Sequence, residues 1–292
     1  GPATPHLEGH GREHLVRLPL LVLALSACTP VEPLDLPTDP AERGVPVGVR
    51  TLVDPDENLV AEIWYPARDR AADEETELVD YDMFFPPSFV EEIGDFDLQA
   101  IDSGAVREAE IRRARDPYPV VIFSHGMAGM RLQSLDFTVH LASRGYVVVA
   151  PDQPGRMLGD IVPCLISPPL PECNLEAMLE GDPAPPFVEA AADYIEASAR
   201  DGIFEGYVDT GRMALTGHSM GGLTVGTVGS TDTRYDALLS MANGPPVERD
   251  VPTLVIAGTC DGVVPLADVE ATFETIEDAD LVAIRDAGHL AF

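Results

Sequence analysis

The stretch Leu215-Thr-Gly-His-Ser-Met-Gly-Gly222 decides the fold that this sequence predicts. The run Arg212–Thr216 indicates a strand, and a helix-forming stretch follows the motif. Ser219 lies at the turn between the two, with Gly217 and Gly221 two residues away on either side. Such a turn is so tight that its neighbours must be small, and it presents the serine hydroxyl at the positive end of a helix. The pattern therefore predicts a nucleophilic serine at a strand-to-helix elbow.

A serine hydroxyl is a poor nucleophile unless a base takes its proton and an acid orients that base. Downstream of Ser219 the sequence contains one histidine, His289, and it follows a predicted strand. Asp261 also directly follows a predicted strand, from which its carboxylate can reach the imidazole. Asp268 falls within the next helix and Asp250 precedes the strand, so both are weaker candidates. We therefore predict Ser219, His289 and Asp261 as a triad.

An acyl-transfer site also needs N–H donors for a developing oxyanion. The amide after the nucleophile, that of Met220, is the first candidate. The loop Ser124-His-Gly-Met-Ala-Gly129 follows a predicted strand and supplies the second, the Met127 amide. We expect His125 to stiffen this loop and His218 to pack beside the elbow, so neither is predicted to act as a base.

Strands alternate with helices from residue 118 onward, which predicts a mainly parallel central sheet with helices on both faces. Continuous apolar runs are typical of parallel strands that are buried on both faces. The predicted strands are Val45–Val53, Asn58–Tyr65, Tyr118–Phe123, Tyr146–Ala150, Arg212–Thr216, Ala237–Met241, Thr253–Ala257 and Leu281–Ile284. The predicted helices are Arg131–Arg144 and Pro186–Arg200. The catalytic domain is expected to span residues 45–292, with insertions at 67–117 and 156–186 and a short helix near Ala105–Arg115.

The N-terminal segment has the pattern of an export signal. Arg12 and Arg17 precede a ten-residue apolar run, Leu18–Ala27, which is too short to span a bilayer as a helix. Its end, Leu25-Ser-Ala-Cys28, resembles the lipobox of bacterial lipoproteins, which implies a lipid on Cys28. Residues 1–28 are thus predicted to be a signal segment and residues 29–44 a Pro/Asp-rich tether. We expect an exported protein, secreted or attached to the membrane through that lipid.

The charge balance excludes one class of partner. The sequence has 50 acidic residues, 18 basic ones and a formal charge of -32. Such a chain repels nucleic acids and anionic lipid headgroups. We expect a monomer that acts on a small-molecule ester, with no nucleic-acid partner.

The cysteines suggest a disulfide and no metal site. Cys164 and Cys173 flank a proline-rich stretch and can close a small loop, and export permits a disulfide there. Cys260 is then expected to remain a buried thiol. No spacing of cysteines and histidines is typical of a zinc site, so we expect no metal and no cofactor.

Four stretches of the sequence form a combined pattern: Ile63-Trp-Tyr-Pro-Ala67, Phe123-Ser-His-Gly-Met-Ala-Gly-Met-Arg131, Leu141-Ala-Ser-Arg-Gly-Tyr-Val-Val-Val-Ala-Pro-Asp152 and Gly217-His-Ser-Met-Gly-Gly222. Together they resemble the platelet-activating-factor acetylhydrolase and dienelactone-hydrolase-like branch of the α/β-hydrolases. The resemblance implies the α/β-hydrolase fold and a cofactor-free hydrolase of small or short-acyl esters. That fold normally adds a helix after the histidine, and we expect it to be missing here.

Two other functions remain open. Gly217-His-Ser-Met-Gly-Gly222 is also similar to bacterial cutinases and polyester hydrolases. Those enzymes carry an aromatic oxyanion residue and a tryptophan near the cleft, whereas this sequence has Met127 and its only tryptophan is Trp64 on an early strand. The second alternative is a binding protein that keeps the fold without catalysis, which the presence of Ser219, Asp261 and His289 disfavours.

Overall fold

The computed structural model of the protein describes residues 44–93, 100–166 and 181–292. The predicted signal segment 1–28 and the tether up to residue 43 lie outside the described residues. So does Cys173.

A nine-stranded sheet forms the centre of the described chain, in the order β11-β10-β9-β8-β6-β7-β2-β1-β5. The strands from β6 to β11 pair in parallel, whereas β2 pairs antiparallel with both β1 and β7. The bounds are β1 Val47–Asp54, β2 Leu59–Pro66, β5 Val106–Arg107, β6 Tyr118–Ser124, β7 Val147–Pro151, β8 Val208–His218, β9 Tyr235–Met241, β10 Thr253–Gly258 and β11 Ala279–Ile284. A separate pair consists of β3 Leu78–Val79 and β4 Ile101–Asp102.

Six helices accompany the sheet in the described part of the chain: α1 Pro87–Ile93, α2 Leu135–Ser143, α3 Leu158–Ile166, α4 Pro185–Arg200, α5 Met220–Thr231 and α6 Leu266–Phe273. Strand β6 shows why both faces are covered, since side chains alternate along a strand. Ile122 belongs to one core cluster with α4 and α5, whereas Phe123 belongs to a second cluster with α2. The predicted α/β-hydrolase architecture is confirmed.

Two predictions of secondary structure from the sequence are wrong, one of a whole helix and one of the start of a helix. No helix forms near Ala105–Arg115, because Val106–Arg107 forms the edge strand β5 and pairs with β1 instead. The predicted helix Arg131–Arg144 begins only at Leu135. Arg131 is buried beside α2 and forms ion pairs with Asp152 and Glu62. The spacing of apolar residues in this segment did not reveal these ion pairs.

The two insertions contact each other. The carbonyl oxygen of Phe84 lies against Gly159 in α3, so closely that a Cβ atom at Gly159 would be 2.2 Å from it. The Leu158 amide donates a hydrogen bond to the Gly129 carbonyl at 2.7 Å. Residues from both insertions therefore pack together, and α3 begins directly beside the loop that follows β6. Within the three described ranges, no helix has the length and apolar character needed to cross a bilayer.

Candidate active site

Ser219 occupies a strained turn between β8 and α5. Its backbone has φ 56° and ψ -118°, a region that residues with side chains rarely adopt. A Cβ atom at Gly221 would lie 1.9 Å from the Ser124 carbonyl oxygen, and one at Gly217 would lie 2.3 Å from the Gly221 carbonyl oxygen. Larger residues at either position would therefore displace the backbone. The spacing of small residues in the sequence follows from this close approach.

A continuous hydrogen-bond chain starts at Ser219. His289 Nε2 lies 2.8 Å from Ser219 Oγ, and His289 Nδ1 lies 2.8 Å from Asp261 Oδ2. The second carboxylate oxygen of Asp261 accepts the amides of Val263 and Val264, each at 2.8 Å. A carboxylate only accepts, so His289 carries its hydrogen on Nδ1 and leaves Nε2 to accept the serine proton. The arrangement can deprotonate the Ser219 hydroxyl.

The topology brings these side chains together because each follows a parallel strand. Ser219 follows β8, Asp261 follows β10 and His289 follows β11, all at the carboxyl edge of the sheet. His289 and Asp261 are only 5% and 7% exposed, so little water reaches their hydrogen bond. Neither Asp268 nor Asp250 contacts the imidazole, and Asp268 is exposed on α6.

Two amides are available for an oxyanion. Among the described residues, neither the Met127 nor the Met220 N–H has a hydrogen-bond acceptor. The loop that carries Met127 packs directly on the elbow, since a Cβ atom at Gly126 would lie 3.1 Å from the Ser219 Cβ. Both free amides therefore belong to segments that meet at the nucleophile.

His125 and His218 also lie near the site, and their rings are uncharged near neutral pH. Burial, together with the nearby positive charge of Arg156, lowers the pKa of His125 to about 3, so its ring carries no charge near neutral pH. Burial also lowers the pKa of His218. Neither ring contacts the Ser219 hydroxyl in the described structure.

The sequence pattern of the dienelactone hydrolase family matches residues 108–289. The chain belongs to the dienelactone hydrolase family. It is therefore an esterase-type hydrolase. The pattern of the platelet-activating factor acetylhydrolase, isoform II, matches residues 35–156, which is the N-terminal part of the chain.

A solved structure of similar fold is the ferulic acid esterase from Streptomyces cinnamoneus. The two share 21% sequence identity at a TM-score of 0.54, and the match covers 88% of this chain and 77% of the other. At this identity the likeness supports the α/β-hydrolase fold alone. No curated protein matches the sequence.

The sequence patterns did not reveal Arg156, a buried arginine that contacts the loop and the helix on either side of Ser219. Arg156 is 0% exposed, and its guanidinium donates to the His125 carbonyl at 2.7 Å and to Asp182 at 2.8 Å. It also donates to Thr224 Oγ1 in α5 at 3.2 Å. Burial lowers the pKa of Arg156 to about 10, which leaves it charged near neutral pH. One side chain thus connects the Met127 loop, the elbow helix and the end of the second insertion.

Asn243 is a second residue that the motifs did not reveal. Its side-chain amide donates to the Ser219 carbonyl at 2.9 Å from the loop after β9. The amide of Ser219 itself donates to the Met241 carbonyl at 2.8 Å. These bonds hold the strained peptide units on both sides of the nucleophile. The available signal was a polar residue in the loop that follows a parallel strand, two residues beyond the end of β9.

The described residues contain no group of three or more acidic, cysteine or histidine side chains arranged to hold a metal ion. Cys260 is half-buried and disulfide-bonded, so the expectation of a buried thiol is wrong. Cys28 and Cys173 lie outside the described residues, and the Cys164–Cys173 disulfide stays a prediction.

Proposed function

We propose that the protein hydrolyses carboxylic esters through a triad of Ser219, His289 and Asp261. The observation that carries this proposal is the unbroken chain of two 2.8 Å contacts, from Ser219 Oγ to His289 and from His289 to Asp261. Distances of this size are those of a nucleophile and base in direct hydrogen-bond contact. The strained elbow and the two free amides support the same chemistry.

In the first half-reaction, His289 Nε2 takes the Ser219 proton as Oγ attacks the ester carbonyl. The carbonyl oxygen becomes an oxyanion, which the Met127 and Met220 amides bind. Collapse of this intermediate breaks the bond to the alcohol, and the imidazolium of His289 gives that leaving group its proton. Asp261 stabilises the imidazolium and keeps the ring in its reactive tautomer.

In the second half-reaction, water replaces the alcohol. His289 takes a proton from the water as it attacks the acyl-enzyme, and the same two amides again hold the oxyanion. Collapse releases the carboxylic acid and returns the proton to Ser219. No cofactor is needed for either step, since the acyl group alone is transferred.

We further propose that the substrates are small or short-acyl esters. The second insertion approaches the elbow, because Asp182 accepts a hydrogen bond from Thr224 Oγ1 in α5 at 2.7 Å. The first insertion packs on α3 through Phe84 and Gly159. In this proposal the two insertions narrow the cleft beside Ser219, and a narrow cleft favours short acyl chains.

The first test replaces the nucleophile. Ser219→Ala removes the attacking oxygen without adding bulk, so ester turnover should fall by roughly 10⁴-fold or more. Fluorophosphonate labelling should disappear with it, while the melting temperature stays close to that of wild type. Ser230→Ala is the matched control, because Ser230 lies on the same helix and should keep full activity. Retained turnover in Ser219→Ala would overturn the triad and favour the non-catalytic alternative.

The second test concerns acyl length. With p-nitrophenyl esters, acetate and butyrate should give a kcat/KM at least about tenfold above that of palmitate. Maximum activity on long chains, or soluble products from a polyester film, would favour the cutinase-like function. Trp64 is 0% exposed and lies within the core, so it is not placed to contact a polymer as an aromatic clamp.

We also propose that the protein is exported, and is either lipid-anchored at Cys28, as the lipobox-like pattern suggests, or secreted. Mass spectrometry of the mature N-terminal peptide tests this: a lipid on the sulfur of Cys28 would support the anchor, whereas an unmodified Cys28, or a Cys28 joined by a disulfide to another cysteine, would favour the secreted form.

A further inference from the structure

A chain of side-chain hydrogen bonds runs from the Met127 loop to the loop of His289. The Gly126 amide donates to Gln133 Oε1 at 2.7 Å, and Gln133 Nε2 lies 2.6 Å from His218 Nδ1. His218 Nε2 in turn lies 2.7 Å from the His289 carbonyl oxygen. None of these contacts is needed to form the triad itself.

Only one arrangement of hydrogens satisfies this chain. The His289 carbonyl can only accept, so His218 Nε2 must carry its hydrogen and His218 Nδ1 must accept. Gln133 therefore donates with its amide nitrogen, which leaves its oxygen facing the Gly126 N–H, a group that can only donate. Burial lowers the pKa of His218, which faces the titratable side chains of His289 and Asp261, and so favours the neutral ring that this arrangement needs.

The Gly126 end of the chain determines where the Met127 amide points. The His125–Gly126 peptide is held on both sides, because its N–H donates to Gln133 and its carbonyl accepts from Arg156 at 2.7 Å. The next peptide carries the Met127 N–H, and its carbonyl, that of Gly126, accepts from the Gly129 amide at 3.1 Å. Rotation of the first peptide would turn the second and move the Met127 N–H.

We propose that Gln133 and His218 are positioning residues that fix the Met127 amide relative to the imidazole of His289. This inference rests on the proposed function, in which Met127 binds the oxyanion and His289 is the base. These hydrogen bonds fix the distance between the Met127 amide, which binds the oxyanion, and the backbone of His289, which is the base. Neither Gln133 nor His218 contacts the substrate in this role.

The consequence is an effect on kcat with little effect on KM. The oxyanion forms only after attack, so a displaced donor weakens binding of the transition state and not of the ester. Gln133→Met keeps the volume and removes both hydrogen bonds. We expect kcat to fall by about 10²-fold, as for a misplacement near 1 Å, with KM within about threefold of wild type.

Gln133→Glu gives a sharper test. A carboxylate still accepts from the Gly126 amide, but its second oxygen then faces His218 Nδ1, which is also an acceptor. The pair is satisfied only when it takes up a proton, either on the carboxylate or on His218 Nδ1, so that one of the two becomes a donor. The ratio of Gln133→Glu activity to wild-type activity should therefore rise as the pH falls from about 9 to about 6, whereas the ratio for Gln133→Met should stay flat.

Asp136→Asn is the control, since Asp136 is exposed three residues further along the same segment and has no role in the site. A Gln133→Met variant with wild-type kcat, or a flat ratio for Gln133→Glu, would overturn the positioning role. Recovery of Gln133→Glu at low pH also excludes misfolding as the cause of its loss. Ser219→Ala is measured alongside these variants. If Ser219→Ala is inactive and Gln133→Met is fully active, only the positioning role is refuted. If Ser219→Ala is active, the proposed function itself is refuted.

Discussion

At the scale of single residues, Asp261 illustrates how hydrogen bonds assign a role. One of its oxygens is occupied by the Val263 and Val264 amides, which fixes the carboxylate, and the other faces His289 Nδ1 at 2.8 Å. The carboxylate therefore selects the tautomer of His289 that can accept the proton of Ser219.

Asp261→Asn tests this selection. The amide oxygen can still accept from Val263 and Val264, but its nitrogen then faces His289 Nδ1 and favours the opposite tautomer. We expect kcat to fall by about 10⁴-fold, with a melting temperature near that of wild type. Asp268→Asn makes the same exchange on exposed helix α6 and should be silent. Comparable losses in both variants, measured with p-nitrophenyl acetate, would remove Asp261 from the triad.

At the scale of elements, one buried cation connects three segments. Arg156 contacts the loop after β6, helix α5 and Asp182 at the end of the second insertion. The carbonyl of Arg156 also accepts the Ala128 amide at 2.8 Å. The loop is thus held from below by both the side chain and the backbone of the same residue.

Arg156→Met should lower the free energy of unfolding by about 3–5 kcal/mol, because it leaves the Asp182 carboxylate without its cation. Arg212→Met is the matched control: Arg212 pairs with Asp209 at the exposed surface, and its loss should cost at most about 1 kcal/mol. Urea unfolding measures both. Adding Asp182→Asn to Arg156→Met should restore part of the stability, and no recovery would mean that the ion pair is not the cause.

At the scale of the whole molecule, charge opposes folding. The formal charge of -32 arises from 50 acidic and 18 basic residues, with no lysine among the basic ones. Repulsion among so many carboxylates destabilises a compact state. Buried pairs such as Arg131 with Asp152 are shielded from solvent ions and should respond less to salt.

The melting temperature should therefore rise from low salt to molar NaCl. The screening length falls from about 10 Å at 0.1 M to about 3 Å at 1 M, which removes most long-range repulsion. Sucrose serves as the uncharged control and should not reproduce the steep rise at low concentration. A flat or falling curve in NaCl would show that repulsion is not a major term in the stability.

The sequence by itself determined the architecture and the residues that meet at Ser219. Apolar runs separated by helical periodicity are local patterns, and the G-x-S-x-G turn depends on small residues a few positions apart. His289 and Asp261 could be chosen because parallel strands bring the residues that follow them to one edge. The sequence failed at Ala105–Arg115, where pairing with β1 outweighed helical propensity.

Only the tertiary structure decided what supports these residues. Gln133 approaches His218, and Arg156 approaches Asp182, through contacts across 85 and 26 positions of the chain. No periodicity encodes such contacts, because a buried polar side chain interrupts the apolar pattern that periodicity measures. Its partner depends on which loops the packed sheet and helices bring together, and burial then makes each hydrogen bond necessary.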